Sequence, residues 1–528
     1  MTATAAPPRR RRAVEATAAT ALLACMLAVA GLPSPDQDAH AATPRKPNIV
    51  LITTDDQTLS SYAPHVMPNT TRLLADKGTT FTNAIVTTPL CCPSRASMIT
   101  GQYAHNHGVT SNRLNYQGLE EKDNTLPVWL DRAGYKTAHV GKYLNGYEAA
   151  VGTPTEVAPG WNLWFTTLGT TRYYDYDVSA NGKRVHFRDR DNDYVTRVIN
   201  KKSVSLIRRM TPLKAPLYLQ VDQRAPHSET GVDTGGRCGG RAVPDRDDKE
   251  LFEDELLPQP PSFNEADVSD KPPFVETRLP LTAPKIKKMT KRHSCELAAL
   301  RAVDRGVQKI VNALKKTDEL RKTVIAFTSD NGFFQGEHRI GAGKIYPYEE
   351  GIRVPFLIRV PERYRGGGQR VPEVSAPVAN IDLAPTFLEL AGGVNSCRGG
   401  GACRVMDGRS LVGSLSGGAG AIPGDRALLT EFDVGNNTAQ EDGLCRYSGV
   451  RAAEAIYVEY TVDDLTGGCD PELVHELYDL GSDPFQLNNL IDGDLPQEAE
   501  LSGLLDRLRD CAGIAGRDPQ LAGRPYCD

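Results

Sequence analysis

Three short runs of β-branched and aliphatic residues, each ending in polar groups, constrain this chain more than any other feature. Lys46-Pro-Asn-Ile-Val-Leu-Ile-Thr-Thr-Asp-Asp56 ends in two carboxylates. Ala215-Pro-Leu-Tyr-Leu-Gln-Val-Asp-Gln-Arg-Ala-Pro-His227 ends in Pro-His, and Thr323-Val-Ile-Ala-Phe-Thr-Ser-Asp-Asn-Gly332 in Asp330 and Asn331. Apolar runs of this length read as strands buried on both faces, the pattern of a sheet covered by helices. Ligands of such sheets gather beyond the carboxyl ends of the strands. The paired acids Asp55 and Asp56 serve equally well as a helix cap, and Asp-Asn-Gly alone is also a turn. Two strand ends that both present oxygen ligands are a stronger joint signal. Adjacent carboxylates repel unless a cation separates them, and a hard cation such as calcium suits oxygen donors.

The second constraint is Thr87-Thr-Pro-Leu-Cys-Cys-Pro-Ser-Arg-Ala-Ser-Met-Ile-Thr-Gly101, which holds Cys91-x-Pro93-Ser94-Arg95 followed by Thr100-Gly101. A helix is expected to start just after Pro93-Ser94, aiming free N–H groups toward an anion, with Arg95 one turn on. A lone cysteine in an exported chain is more often half of a disulfide. The full pattern, however, resembles the signature of the formylglycine-dependent sulfatases, members of the alkaline-phosphatase-like superfamily. In that family the first cysteine is oxidised to an aldehyde by a formylglycine-generating enzyme, here implying modification of Cys91. The aldehyde hydrate attacks sulfur, forms a covalent sulfate intermediate and expels sulfate by re-forming its carbonyl, which a serine could not do.

The resemblance implies further roles, residue by residue. Arg95 hydrogen-bonds the nucleophile; Lys142, in Gly141-Lys142-Tyr143-Leu144-Asn145, and Lys344, between Asp330-Asn331-Gly332 and Glu350-Gly-Ile-Arg-Val-Pro355, contact sulfate; His227 protonates the departing oxygen. Asp55, Asp56, Asp330 and Asn331 match the ligands of one Ca2+ ion, with the modified Cys91 beside it. Many members carry histidine where this chain has Leu144, which leaves the base of the elimination step open. Gly-Lys-Tyr-Leu-Asn, Gly160-Trp-Asn-Leu-Trp164, Tyr173-Tyr-Asp-Tyr176 and Asn181-Gly-Lys183 are nearest the branch of N-acetylglucosamine-6-sulfatase and the extracellular endosulfatases. The implied substrates are aryl sulfates or sulfated sugars such as N-acetylglucosamine 6-sulfate. Phosphonate or phosphate ester hydrolysis through the same aldehyde and an inactive glycan-binding homologue are the rival readings.

The chain has 528 residues, 40% hydrophobic and 24% charged, with a net charge of −5. That balance gives no basic patch pointing to nucleic acid, while polyanionic substrates stay open. Arg9–Arg12 precede an apolar run from Ala16 to Leu32, and Ala39-His-Ala41 offers a small-x-small cleavage site. We read residues 1–41 as a secretory leader and the mature protein as extracellular, without stable membrane insertion. Thr17, Thr20 and Pro33–Pro35 weaken a spanning anchor. The residues after Arg11-Arg12 do not support twin-arginine export, and the apolar residues beyond Cys25 disfavour lipoprotein anchoring there. With Cys25 and Cys91 set aside, nine of eleven cysteines remain. Cys397–Cys403, Cys445–Cys469, Cys511–Cys527 and Cys238–Cys295 are the plausible pairs, leaving Cys92 free.

Between these motifs the pattern predicts helices over Pro68–Gly78, Leu126–Gly134, His293–Lys316 and Asn380–Ala391, and polar surface loops over Ser228–Leu281. Histidines 105, 107 and 338 read as loop hydrogen-bonders, His338 being a weaker site candidate. Strands at Leu428, Tyr447 and Ala455 and a helix over Glu498–Cys511 close the chain. The expected fold is α/β: a large, mostly parallel mixed sheet between helices, then a smaller C-terminal antiparallel sheet with a helix. The expected division is 42–420 for the catalytic domain and 421–528 for the C-terminal subdomain.

Overall fold

A computed structural model of the protein describes residues 46–150, 156–169, 172–229, 238, 242–392, 404–435, 442–463, 468–491 and 496–528. The leader, Cys25 and the Cys397–Cys403 pair lie outside the described residues. Residues 46–528 form one compact unit. No helix among the described residues is long and apolar enough to cross a membrane.

The three sequence runs become three adjacent strands. Asn48–Asp55 lies in the middle, parallel to Leu217–Pro226 on one side and to Thr323–Ser329 on the other. Lys136–Gly141 and then Leu163–Leu168 extend the parallel stretch beyond Leu217–Pro226. Antiparallel strands finish both sides of this ten-stranded sheet, among them Phe356–Arg359 next to Thr323–Ser329 and Tyr176–Ala180 next to Leu163–Leu168. Strand residues point alternately to the two faces. Ile49 and Leu51 accordingly enter one core with Met98, Ile99, Trp129 and Phe387, while Val50 and Ile52 enter the other with Val198, Ile199, Val303 and Ile310. Both faces are dry, which is why the runs lack polar alternation.

The helix after the Pro68 cap is not a plain α-helix. It passes from Pro68–Thr70 into a π-helical turn, Thr71–Ala75, before Gly78. The long helix begins at Ala283, ten residues before the expected start, and runs to Lys316. Its first ten residues carry five Lys or Arg and little apolar surface, so no 3.6-residue stripe announces them.

The C-terminal residues form a separate four-stranded antiparallel sheet, Leu428–Asp433, Leu444–Arg451, Ala455–Asp463 and Cys469–Asp479. The helix Pro496–Leu508 packs Leu501, Leu505 and Leu508 into its core. That same core takes in Phe334, Tyr346 and Tyr348, so this sheet buttresses the loop carrying Lys344. Tyr348 donates its hydroxyl hydrogen to Glu476 Oε1 at 2.8 Å. Disulfides join Cys238 to Cys295, Cys445 to Cys469 and Cys511 to Cys527, as the spacing suggested, and Cys91 and Cys92 remain as buried thiols.

Candidate active site

The carboxyl ends of the three central strands deliver the polar groups to one place. Asp55, Asp330 and Asn331 are fully buried and Asp56 nearly so. Asp56 adopts a left-handed backbone at φ 65°, a conformation aspartate tolerates better than most residues. Its N–H donates to Asp330 Oδ1 at 3.2 Å, and Asn331 Nδ2 donates to Asp56 Oδ1 at 2.8 Å. Only glycine fits next: a Cβ on Gly332 would lie 2.1 Å from the Glu350 carbonyl oxygen.

Helix Cys91–Thr100 brings the signature to this cluster. It starts at Cys91, not after Ser94 as the sequence suggested, because Leu90 is already extended and Pro93 occupies the first turn. Proline is tolerated there since its missing N–H would have had no intrahelical partner. The Cys92 N–H is satisfied by Asn112 Oδ1 at 2.9 Å, and Gly101 ends the helix in the left-handed region at φ 71°. Asn380 fastens the segment from both sides: its Oδ1 accepts from the Thr87 N–H at 3.1 Å, and its Nδ2 donates to Ser94 Oγ at 3.0 Å.

Cys91 Sγ lies 3.6 Å from Asp55 Oδ1 and accepts from Lys344 Nζ at 2.8 Å; Lys344 also bonds Asp56. Lys142 Nζ donates to Asp55 Oδ2 at 2.6 Å. The lysine is presented by Gly141, whose φ of 115° and 1.8 Å approach of an added Cβ to the Asp222 carbonyl oxygen exclude other residues. Arg95 Nε donates to Asp330 Oδ2 at 2.8 Å and Nη1 to the Lys142 carbonyl at 2.9 Å. His227 Nε2 stands 3.6 Å from Asp56 Oδ2. Cys91, Arg95, Lys142, His227, Lys344 and the four expected oxygen ligands therefore meet here, although Arg95 bonds Asp330 and the Lys142 carbonyl rather than Cys91, and the weaker candidate His338 lies apart, on Glu265 and Glu350. Leu144 is buried in the apolar core instead.

Three carboxylates in so small a volume set the electrostatics. Burial pushes Asp55 up, but Lys142, His227, Arg95 and Lys344 outweigh it and hold the group well below the usual carboxylate range. Asp330 goes the other way: burial and the charge of Asp55 raise it to about 6 despite the bond to Arg95. Burial presses His227 down to about 4, so its imidazole is neutral near pH 7. Burial likewise keeps Cys91 a thiol. Such a cluster fits a bound cation. Ligand atoms of Asp55, Asp56, Cys91 and His227 lie within 4.8 Å of one another, and the buried Asn331 Oδ1 has no hydrogen-bond partner. Oxygen donors of this kind suit a hard divalent ion.

Sequence reasoning missed a supporting pair. His139, fully buried, donates from Nε2 to Asp222 Oδ2 (2.9 Å) and bonds Thr166 Oγ1 through Nδ1 (2.6 Å), and Asp222 Oδ1 lies 3.6 Å from Arg95 Nη1. The available signal was a charged residue inside a buried strand run, Asp222, and a histidine inside another.

The fold agrees with that of solved proteins. A solved protein in complex with its substrate D-glucosamine-2-N,6-O-disulfate superposes with a TM-score of 0.70 at 24% identity, over 88% of this chain and 97% of that one. N-acetylglucosamine-6-sulfatase of Homo sapiens is 32% identical over 91% of this chain and 87% of its own length. The extracellular sulfatase SULF-1 homolog of Drosophila melanogaster is 35% identical over 71% of this chain and 32% of its own length. The chain spans half or less of the length of such extracellular relatives. Residues 47–394, about two thirds of the sequence and all of the strand ends just described, match the family model described as Sulfatase, and the chain belongs to that family.

Proposed function

We propose that this protein hydrolyses sulfate monoesters outside the cell, using an aldehyde made from Cys91 and one calcium ion. The observation that carries this reading is the seating of Cys91 between Lys344 and the carboxylates of Asp55 and Asp56. A thiol that burial keeps protonated is a poor nucleophile, so Cys91 has little use there unless it is converted. Asp55, Asp56, Asp330 and Asn331 would hold the ion beside the modified Cys91, and the ion would supply Lewis-acid polarisation of the sulfate oxygens.

The chain's own residues do the rest. Lys142 and Lys344 present ammonium groups to sulfate oxygens and stabilise charge that spreads in the transition state. Arg95, locked between Asp330 and the Lys142 carbonyl, orients Lys142 and neutralises the nucleophile's surroundings. His227 would protonate the departing oxygen, a role that requires its imidazole, neutral near pH 7 in the free site, to carry a proton when substrate is bound. Retention of Cys91, both lysines and the oxygen cluster argues against an inactive glycan-binding role. We assign residues 1–41 to an export leader, 42–420 to the catalytic domain and 421–528 to a buttressing subdomain. The relatives' names and the branch motifs favour sulfated glycans, N-acetylglucosamine 6-sulfate first among them.

Parallel turnover of 4-nitrophenyl sulfate, N-acetylglucosamine 6-sulfate and phenyl phosphonate esters tests the reading. Sulfate esters should be preferred. A larger kcat/KM for the phosphonate would replace the sulfatase reading with a phosphonate hydrolase.

A further inference from the structure

The net charge of −5 conceals a strongly basic track that runs along helices Val195–Met210 and Ala283–Lys316 to the ends of the central strands remote from Asp55 and Asp330. The expectation of no basic patch is corrected here, because the residues involved are scattered along the sequence and meet only in the fold. Three grooves of about 720, 580 and 880 Å³ follow one another along this surface. The first runs between helices Val195–Met210 and Ala283–Lys316 and shares Asn312 with the second; the second and third share Lys77, Leu320, Arg321 and Arg359. Together their linings carry fourteen Lys or Arg against four Asp or Glu.

Location separates the second and third grooves from the candidate active site, whereas the first begins at Asn192 and Arg197, beside Val195, whose N–H donates to the carbonyl of Tyr173, itself bonded through its hydroxyl to the His227 carbonyl. Leu320, Arg321 and Lys322 immediately precede strand Thr323–Ser329, whose other end delivers Asp330. Seven strand residues put about 20 Å between the two. The acids do not cancel the track evenly. Arg197 and Arg305 are held by Asp245, and Arg321 by Asp318 at 3.2 Å. Lys77, Lys201, Arg208, Lys309, Lys315 and Lys316 are exposed and make no ion pair among the described residues. Arg359 is half-buried, its Nη1 fixed on the Leu73 carbonyl at 3.0 Å, so the track has a positive floor as well as positive rims.

We propose that this track is an exosite for a linear sulfated polysaccharide, holding the polymer while sulfate esters are presented to the catalytic face of the same or a neighbouring molecule. A small anion needs one cavity; three linked basic grooves suit a chain of regularly spaced charges. Exposed lysines contribute through summed field more than through any single contact, so binding weakens with salt. The choice of a sulfated glycan over another polyanion rests on the sulfatase reading.

The test uses the full chain and fluorescein-labelled heparin as the probe, with Cys91→Ser as background so that binding is read without turnover. Two sets of charge reversals are compared, Lys201→Glu/Lys309→Glu/Lys316→Glu and Lys77→Glu/Arg321→Glu/Arg363→Glu. Each should weaken heparin binding at least tenfold and flatten its salt dependence, while in the Cys91 protein both leave turnover of 4-nitrophenyl sulfate unchanged, which also shows that the variants fold. Heparin affinity equal to that of the unreversed protein would overturn the proposal. So would equally tight binding of double-stranded DNA, which would show a track without preference for glycans. Loss of the sulfatase reading would appear separately, as absent aryl sulfate turnover in the Cys91 protein.

Discussion

Lys344 Nζ stands 2.8 Å from Cys91 Sγ although 253 residues separate them. The lysine reaches that point because its loop is pinned by Tyr346 and Tyr348 against the C-terminal sheet. The second sheet thus shapes the catalytic pocket without lending it a reacting group.

Removing this ammonium tests its role. Lys344→Ala should lower kcat/KM for aryl sulfates by about 10²–10³, the cost of losing one donor to developing oxyanion charge. Steady-state kinetics beside circular dichroism measure it. Full activity in a folded Lys344→Ala protein would remove Lys344 from the site.

Gly141 and Lys142 make opposite predictions at neighbouring positions. Gly141→Ala forces its Cβ to 1.8 Å from a carbonyl oxygen and should destabilise the protein by about 4 kcal/mol or more, seen as lost yield and a lower Tm. Lys142→Ala should keep its Tm within a few degrees while losing most turnover. The contrast separates presentation of the lysine from its chemistry.

Asn380 offers a stability test away from the reacting groups. Asn380→Ala leaves the buried Thr87 N–H and Ser94 hydroxyl without their partner, a cost of about 1–3 kcal/mol. Urea unfolding reads it directly, and an unchanged midpoint would show that the signature segment is held by other contacts.

The pH dependence centres on His338, which the sequence offered as a loop histidine and a weaker site candidate. It is fully buried, with Nδ1 2.7 Å from Glu265 and Nε2 3.7 Å from Glu350, stacked on Tyr348. Burial opposes its charge, but the two glutamates win and raise it to about 9. A folded pKa above the unfolded value of about 6.5 stabilises fully below pH 6.5 and loses that contribution as pH rises through 9. His338→Gln should therefore cost about 3 kcal/mol at pH 6, since it takes a buried cation from Glu350 and leaves Glu265 only Lys271, and clearly less at pH 10. Thermal melts of both proteins at the two pH values check this; a Tm gap that is equal at both would contradict it.

Calcium removal gives a further outcome. Chelation should abolish aryl sulfate turnover, with recovery on adding Ca2+, because the ion would supply the Lewis-acid polarisation of the sulfate oxygens. Undiminished turnover after exhaustive chelation would remove the ion from the account.

The strand ends and the Cys91 segment were legible because each is a local pattern: an apolar run and its polar terminus, or a signature within fifteen residues. The sheet's two-faced burial followed from the same runs. What stayed hidden depends on distance in sequence. His139 and Asp222 meet across neighbouring strands, Asn380 reaches the signature from 286 residues away, and His338 acquires its glutamates only when two loops pack. The start of the Ala283 helix was missed for another reason, since its first turns are rich in lysine and offer only Ile286 and Met289 to a small cluster with Leu257 and Leu281.

The most direct test is the mass of the tryptic peptide spanning Gly78–Arg95, taken from protein made by its own host. A peptide lighter by the exchange of thiol for aldehyde at Cys91, reactive with a hydrazide and with Cys92 unchanged, is the predicted result. Burial raises the Cys92 thiol to about 12, so it should stay inert. An unmodified thiol at Cys91 in active protein would contradict the account, because sulfate ester hydrolysis would then proceed without the nucleophile assigned to it.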